Sequence, residues 1–208
     1  MLGKCFKLKD SSLSHTFHIH SVDDVKGNIR LNYSQYKNNP SVLGNIAIGD
    51  VTILNNIHWI KGDITHTDKG VITHQVNTLG RSGSGVVVPI KKMYQGWEEE
   101  YLAFIEDNKD DLLGKVSFNS INSDLFIANI FSQFRISRIP SRNTCLSSLE
   151  QGLQQVKTLA KNAKIPVYVP YKLASDRGGM SWEDEVFPLL TSVFEDGLVD
   201  LYIVEYTP

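Results

Sequence analysis

Two stretches carry the residue types that handle an anion. Asn77-Thr78-Leu79-Gly80-Arg81-Ser82-Gly83-Ser84-Gly85-Val86 leads from an apolar, strand-like segment into a helical pattern. Ala174-Ser175-Asp176-Arg177-Gly178-Gly179-Met180 does the same further along. Glycines let backbone N–H groups come close to an anion, and a helix N-terminus adds a favourable partial charge. Two such loops suit a diphosphate gripped from both sides. Glycine also serves turns for geometry alone, so the plainer reading of two ordinary turns stays open. Neither loop is a Walker loop, because GxxxxGK[ST] is absent, and Gly80, Gly83 and Gly85 lack the GxGxxG spacing.

The elements that must position these loops follow from periodicity. Ile57-His58-Trp59-Ile60 reads as a short strand, and Gly70 to Val76 as a second. Val86 to Glu106 has a helical pattern broken by Pro89 and Gly96, which predicts two short helices. Gly114 to Phe118 and Asp124 to Phe131 predict an antiparallel pair joined by a polar turn. Leu146, Leu149, Leu153, Val156 and Ala160 draw one apolar helical stripe, with Thr144 or Asn143 as its expected cap. Ile165 to Pro170 and Leu198 to Glu205 predict two more strands. Ser181 is the expected cap of a last helix, which Pro188 should kink or delay. Strands alternating with helices of this length imply an α/β layered domain with a mainly parallel sheet, whose ligands sit at the C-terminal ends of the strands.

Ahead of this pattern the character differs. Residues 1–55 are rich in Ser, Asn, Lys and His, with short apolar runs such as Phe17-His18-Ile19, Asn28 to Leu31, Val42-Leu43, Ile46 to Ile48 and Val51 to Leu54. They read as strands, which divides the chain into a β-rich extension, 1–55, and a domain over 56–208. His18 and His20 share one face of such a strand. A zinc site would have to recruit further ligands such as Cys5 or Asp23, so a solvated face is the better reading and no metal is expected.

Composition narrows the function classes. The 208 residues are 41% hydrophobic and 21% charged, enough for a core and against wholesale disorder. A formal net charge of −2 argues against a bulk polyanion-binding surface. The longest apolar runs fall far short of the roughly 20 residues of a membrane span. Met1 to Asp10 lacks the apolar core of a signal peptide. Cys5 and Cys145 form no disulfide framework and no CxxC pair. Together these features predict a cytoplasmic protein with no membrane partner.

The order of the pieces is more specific than the loops. Lys61-Gly62-Asp63-Ile64-Thr65 resembles the "GDIT" opening of macro domains. His74-Gln75-Val76-Asn77, then Gly83-Ser84-Gly85-Val86, then Lys91-Lys92-Met93-Tyr94 resembles the phage-type and terminal ADP-ribose hydrolase branch. So do Leu112 to Val116, Ile127 to Gln133, and the stretch from Tyr171 to Trp182. The resemblance spans about Ile57 to Tyr206. It implies a three-layer sandwich, a mixed, mainly parallel sheet between helices, that binds ADP-ribose or an ADP-ribosylated macromolecule without a cofactor. Nucleic acid would enter only as a modified substrate.

Residue by residue, the resemblance puts Asp63, with Ile64 beside it, at the adenine amino group, where a carboxylate is a sensible acceptor. A turn cap is its other reading. Asn77 falls near the distal ribose, or serves as an Asx turn. Gly83, Ser84, Gly85 and Val86 fall on the first diphosphate loop, and Ser175, Arg177, Gly178 and Gly179 on the second. Phe131 and Ser132 fall beside the distal ribose, and Tyr206 at the position of a stacking aromatic in some members.

Departures bear on activity. Leu173-Ala174-Ser175-Asp176 replaces two family glycines, one of them with an acid expected to face the diphosphate. Terminal hydrolases use a lysine and an aspartate. Lys91 matches the lysine region, with Lys92 next to it, but the aspartate position falls on Gly178, and Asp176 is the nearest substitute. The resemblance therefore implies ADP-ribose binding, with Lys91 and Asp176 as the catalytic candidates for hydrolysis of an ADP-ribosyl linkage or of ADP-ribose 1''-phosphate. A non-catalytic reader, or an interaction module that has lost the ligand, are the alternatives. A solvated helix face is the plainer role for Lys91 and Lys92, and a buried strand position for His74.

Overall fold

A computed structural model describes residues 54–134 and 142–207 in full and, before them, the backbone of five strands. Those strands are β1 (Cys5–Leu8), β2 (Phe17–Val25), β3 (Asn28–Tyr36), β4 (Asn39–Ser41) and β5 (Val51–Leu54), in one antiparallel sheet ordered β4-β3-β2-β1-β5. The expected runs at Phe17, Asn28 and Val51 fall on strands. Those at Val42 and Ile46 lie outside the described residues, as do the side chains of His15, His18 and His20.

Asn55-Asn56 turns the chain into β6 (Ile57–Gly62). The second sheet adds β7 (Gly70–Asn77), β8 (Val116–Ser120), β9 (Leu125–Gln133), β10 (Val167–Pro170) and β11 (Leu201–Tyr206). Its order is β6-β11-β10-β7-β9-β8, parallel throughout except for β8, which runs against β9. Four helices flank it: α1 (Val87–Met93), α2 (Trp97–Asn108), α3 (Leu146–Ala163) and α4 (Phe187–Phe194). Strand alternation splits the core into two layers. Val71, Ala128, Val167 and Ile203 face α3 and α4, while Ile72, Val76 and Ile127 face α1 and α2. The chain is thus an α/β three-layer sandwich, as its sequence predicts.

The stripe on α3 is fully buried at Leu149, Leu153, Val156 and Ala160. Each Leu or Val contributes about 2 kcal/mol by leaving water. The expected cap of α3 differs. Cys145 occupies the N-cap without a side-chain capping bond, and Asn143 and Thr144 donate to the second loop. Ser181 caps as expected, accepting from the Asp184 amide. Pro188 delays α4 behind a π-helical turn, Trp182–Val186. Leu54, on the far side of the expected boundary, is buried in the same layer as α3 and α4. Asn56 ties that junction down by donating to the carbonyls of Phe194 and Val199. Among the described residues no helix is long and apolar enough to cross a membrane.

Candidate functional site

A cleft opens at the C-terminal ends of β6, β11, β10 and β7, where parallel α/β sheets place their ligands. It has two halves. One is walled by Gly62, Asp63 and Ile64 after β6, by Glu205 and Tyr206 of β11, and by Val88, Pro89 and Lys92 of α1. The other is walled by His74 to Asn77 of β7, by Arg81 and Ser82, and by Asp176, Arg177 and Gly178. Gly85, Val86, Pro170, Tyr171 and Lys172 belong to both walls.

At the first end, Asp63 takes the turn-cap role foreseen for it and also lines the wall. Its Oδ1 accepts from the Thr65 amide at 2.9 Å and the Thr65 hydroxyl at 2.7 Å, capping a 3-10 turn over Ile64–His66. Burial works to raise the carboxyl, but the two Thr65 bonds, helped by His66, hold it below the usual range. The residue is therefore an anion on the wall, fixed to the turn through Oδ1. Tyr94 fastens the same turn through its hydroxyl on the Thr65 carbonyl, at 2.7 Å. Tyr206 is exposed, as a stacking residue would be.

The first loop is organised by Asn77. Its Oδ1 accepts from the amides of Leu79 and Arg81, both at 3.0 Å, and its Nδ2 donates to the Arg81 carbonyl. The side chain is consumed in an Asx-type turn. Gly80 and Gly85 take the left-handed conformation, φ 68° and 70°, that glycine adopts without strain. Lys91 turns to Glu98 on α2, with Nζ 2.6 Å from Oε1, and stands behind Ser82 rather than on the cleft wall.

The second loop takes left-handed φ at two residues that are not glycine, Lys172 (62°) and Ala174 (60°), as well as at Gly179 (70°). Side chains hold it. Gln133 and Asn143 both donate to the Arg177 carbonyl at 3.0 Å. The Asn143 and Thr144 amides and the Thr144 hydroxyl donate to the Gly178 carbonyl. A Cβ on Gly178 would lie 2.2 Å from the Ala174 carbonyl oxygen and 2.5 Å from Thr144 Oγ1. The position expected for the hydrolase aspartate thus has no room for any side chain. Asp176 points to water with 90% of its side chain exposed, 4.0 Å from Arg177.

Among the residues singled out from sequence, Asp63, Ile64, Asn77, Ser84, Gly85, Val86, Asp176, Arg177, Gly178 and Tyr206 converge on the cleft. Gly83 and Gly179 lie in its loops but not on its wall, and Ser175 lines the outer side of the second loop near Trp182. Phe131 and Ser132 are interior. Phe131 stacks between Tyr101 and Phe104, and Ser132 accepts from Gln75.

Polar wall residues that were not among the expected site residues include Arg81, Ser82, Lys172 and Gln133. Lys172 follows a strand-ending Pro170, and that position was the available signal. His74 also reaches the wall. It is buried, and neither ring nitrogen meets a partner at bonding geometry. Burial pushes its imidazole down to about 4, with Asn129 and the Gln75 backbone offsetting part of the shift. Among the described residues no three His, Cys, Asp or Glu side chains gather as a metal site would.

Solved structures share this arrangement. A protein of unknown function from Bacteroides thetaiotaomicron is 25% identical with a TM-score of 0.65, over 72% of this chain and 97% of the other. The macrodomain of Mycobacterium tuberculosis DarG is 25% identical with a TM-score of 0.59, over 73% of this chain and 97% of that one. Thermosipho africanus DarTG, solved in complex with ADP-ribose, shares the fold at 19% identity and a TM-score of 0.58, over 74% of this chain and 42% of its own. No family sequence profile matches the chain, and no curated protein matches it in sequence. The chain has the macrodomain fold.

Proposed function

We propose that the cleft binds ADP-ribose, free or carried by a macromolecule. The observation that supports this most is the continuity of its halves through Gly85, Val86, Pro170, Tyr171 and Lys172. Such a cleft suits a molecule with two different ends joined by a short anionic bridge. Asp63 offers an acceptor for an exocyclic amine at one end, and Tyr206 a ring face. Lys172 stands at the junction and Arg81 and Arg177 in the other half, so positive charge flanks the bridge. The likeness in fold to DarTG, whose structure holds ADP-ribose, points the same way. Calorimetric titration with ADP-ribose tests the reading, and absence of binding by the full chain overturns it. Asp63→Ala should weaken binding about tenfold, the scale of one charge-assisted hydrogen bond.

One observation favours a reader over a hydrolase. The lysine–aspartate route needs an acid where Gly178 leaves no space. Lys91 is engaged by Glu98, and Asp176 points to solvent. A reader binds ADP-ribosylated protein or DNA and releases no ADP-ribose. Release by wild type that Lys91→Ala abolishes would restore the lysine route.

A further inference from the structure

Behind the first loop lies a cluster of three side chains that the reading above leaves unused. Glu98, in the first turn of α2, receives two donors on the same oxygen, Oε1. One is Lys91 Nζ at 2.6 Å and the other is the hydroxyl of Ser82, a very short contact. Lys91 Nζ also stands 3.4 Å from Ser82 Oγ. Lys91 and Glu98 are each about one-third exposed, with side-chain values of 33% and 36%. Of the three, only Ser82 is on the cleft wall, in the half away from Asp63.

This grouping has the outline of an activated nucleophile: a hydroxyl, a carboxylate within reach, and a third group orienting the carboxylate. The electrostatics oppose that role. The Lys91 bond, then the Ser82 bond, hold the Glu98 carboxyl below its usual range, which makes it a weaker base than an ordinary glutamate. An anchored carboxylate that cannot readily take a proton is suited to holding donors in place. With its proton committed to Glu98, Ser82 presents its oxygen to the cleft as an acceptor. An oxygen whose own proton is committed can accept from a hydroxyl or N–H but has no donor to offer a phosphate oxygen.

We propose that Glu98 is a positioning residue of the cleft: acting through Ser82 and Lys91, it fixes the first loop and makes its rim select a hydroxyl-bearing distal group over a terminal phosphate. The proposal rests on the ADP-ribose reading and deepens it. It also gives Lys91 a role in the loop's architecture, as a cation that steadies Glu98.

Affinities of the full chain for AMP, ADP-ribose and ADP-ribose 1''-phosphate, measured by calorimetry, form the test. Wild type should prefer ADP-ribose to its 1''-phosphate. Glu98→Ala and Ser82→Ala should each weaken ADP-ribose about tenfold, the scale of one charge-assisted bond, and leave AMP unchanged. The double variant should be no worse than either single one, because both remove the same linkage. Glu98→Gln keeps the shape but not the charge, and should narrow the preference against the phosphate. Equal losses for AMP and ADP-ribose, additive losses in the double variant, or a wild type that prefers the 1''-phosphate would each overturn the proposal.

A second measurement is independent of any nucleotide. Acylation of Lys91 relative to Lys92, followed by mass spectrometry, should rise several-fold in Glu98→Gln as the amine is released from its 2.6 Å charge-assisted bond to Oε1. An unchanged ratio overturns the proposal. A raised ratio in a protein that binds none of the nucleotides would retain the Ser82–Glu98–Lys91 linkage and remove the ADP-ribose reading.

Discussion

The two loops that face each other across the cleft reach similar turns by opposite means. The first is built from within. Asn77 supplies the turn's acceptor and donor, and Gly80 and Gly85 take the left-handed positions. The second is held from outside. Lys172 and Ala174 sit at left-handed φ, where a Cβ is penalised by about 1–2 kcal/mol per residue. Gln133, Asn143 and Thr144 hold the Arg177 and Gly178 carbonyls against that tendency. A loop with left-handed φ at residues other than glycine is therefore compatible with this fold when neighbouring elements supply the constraint. The difference predicts that the Asn77 turn of the first loop tolerates changes around it, with only its Ser82 rim tied to α2, whereas the second loop fails when its surroundings change.

The largest effect should come from Gly178→Ala. Its Cβ has no space between Ala174 and Thr144, and overpacking against backbone should destabilise folding by about 3 kcal/mol. A loss under about 1 kcal/mol in denaturant unfolding would mean that the second loop is adaptable after all.

A comparable effect, reached by acid, belongs to the strand under the first loop. His74 has a folded-state value of about 4 against 6.5 for the free side chain. A depressed base is neutral in the fold while the unfolded chain takes up a proton. Its stability is therefore fully present above about pH 6.5 and is lost progressively down to about pH 4, by about 3 kcal/mol in all. Unfolding free energies across that range check it, and His74→Gln should flatten the slope.

Smaller in size, Ala174→Gly should relieve one strained residue and stabilise by about 0.5–1 kcal/mol after the entropy glycine adds to the unfolded chain. A decrease in Tm would show that the outside clamp already removes the strain. Smallest of all is Asp176→Gly. With its carboxylate in solvent, screening should limit the gain in ADP-ribose affinity to less than about threefold. A gain beyond tenfold would place that carboxylate against the diphosphate after all.

The layered fold was legible because it rests on local pattern. The α3 stripe, the two helices separated at Gly96 and the β8–β9 hairpin all follow from periodicity and turn chemistry. The wall residues at the first end of the cleft were legible through the run from Gly62 to Thr65, which stays together at one strand end. What escaped depends on contacts distant in sequence. Asn143 and Thr144 look like helix caps locally, and only the approach of Arg177 and Gly178 reveals their other use. Phe131 and Ser132 match a family pattern, yet their strand carries them into the interior. Glu98 lies sixteen positions from Ser82 with a helix between, so no motif links them.

The division of the cleft into two rooms with a common doorway sets the arithmetic of recognition. A fragment that fills one room gains only that room's contacts, yet loses most of the freedom that the whole ligand would lose. Once one end of a linked molecule is seated, its other end is held at an effective concentration of the order of millimolar or more beside the second room. AMP and ribose 5-phosphate should therefore each bind weakly. Their covalent union should bind more tightly than either fragment, by about the other fragment's association constant multiplied by that effective concentration. For the same reason, a substituent that wedges the shared stretch from Pro170 to Lys172 would disconnect the rooms without damaging either one.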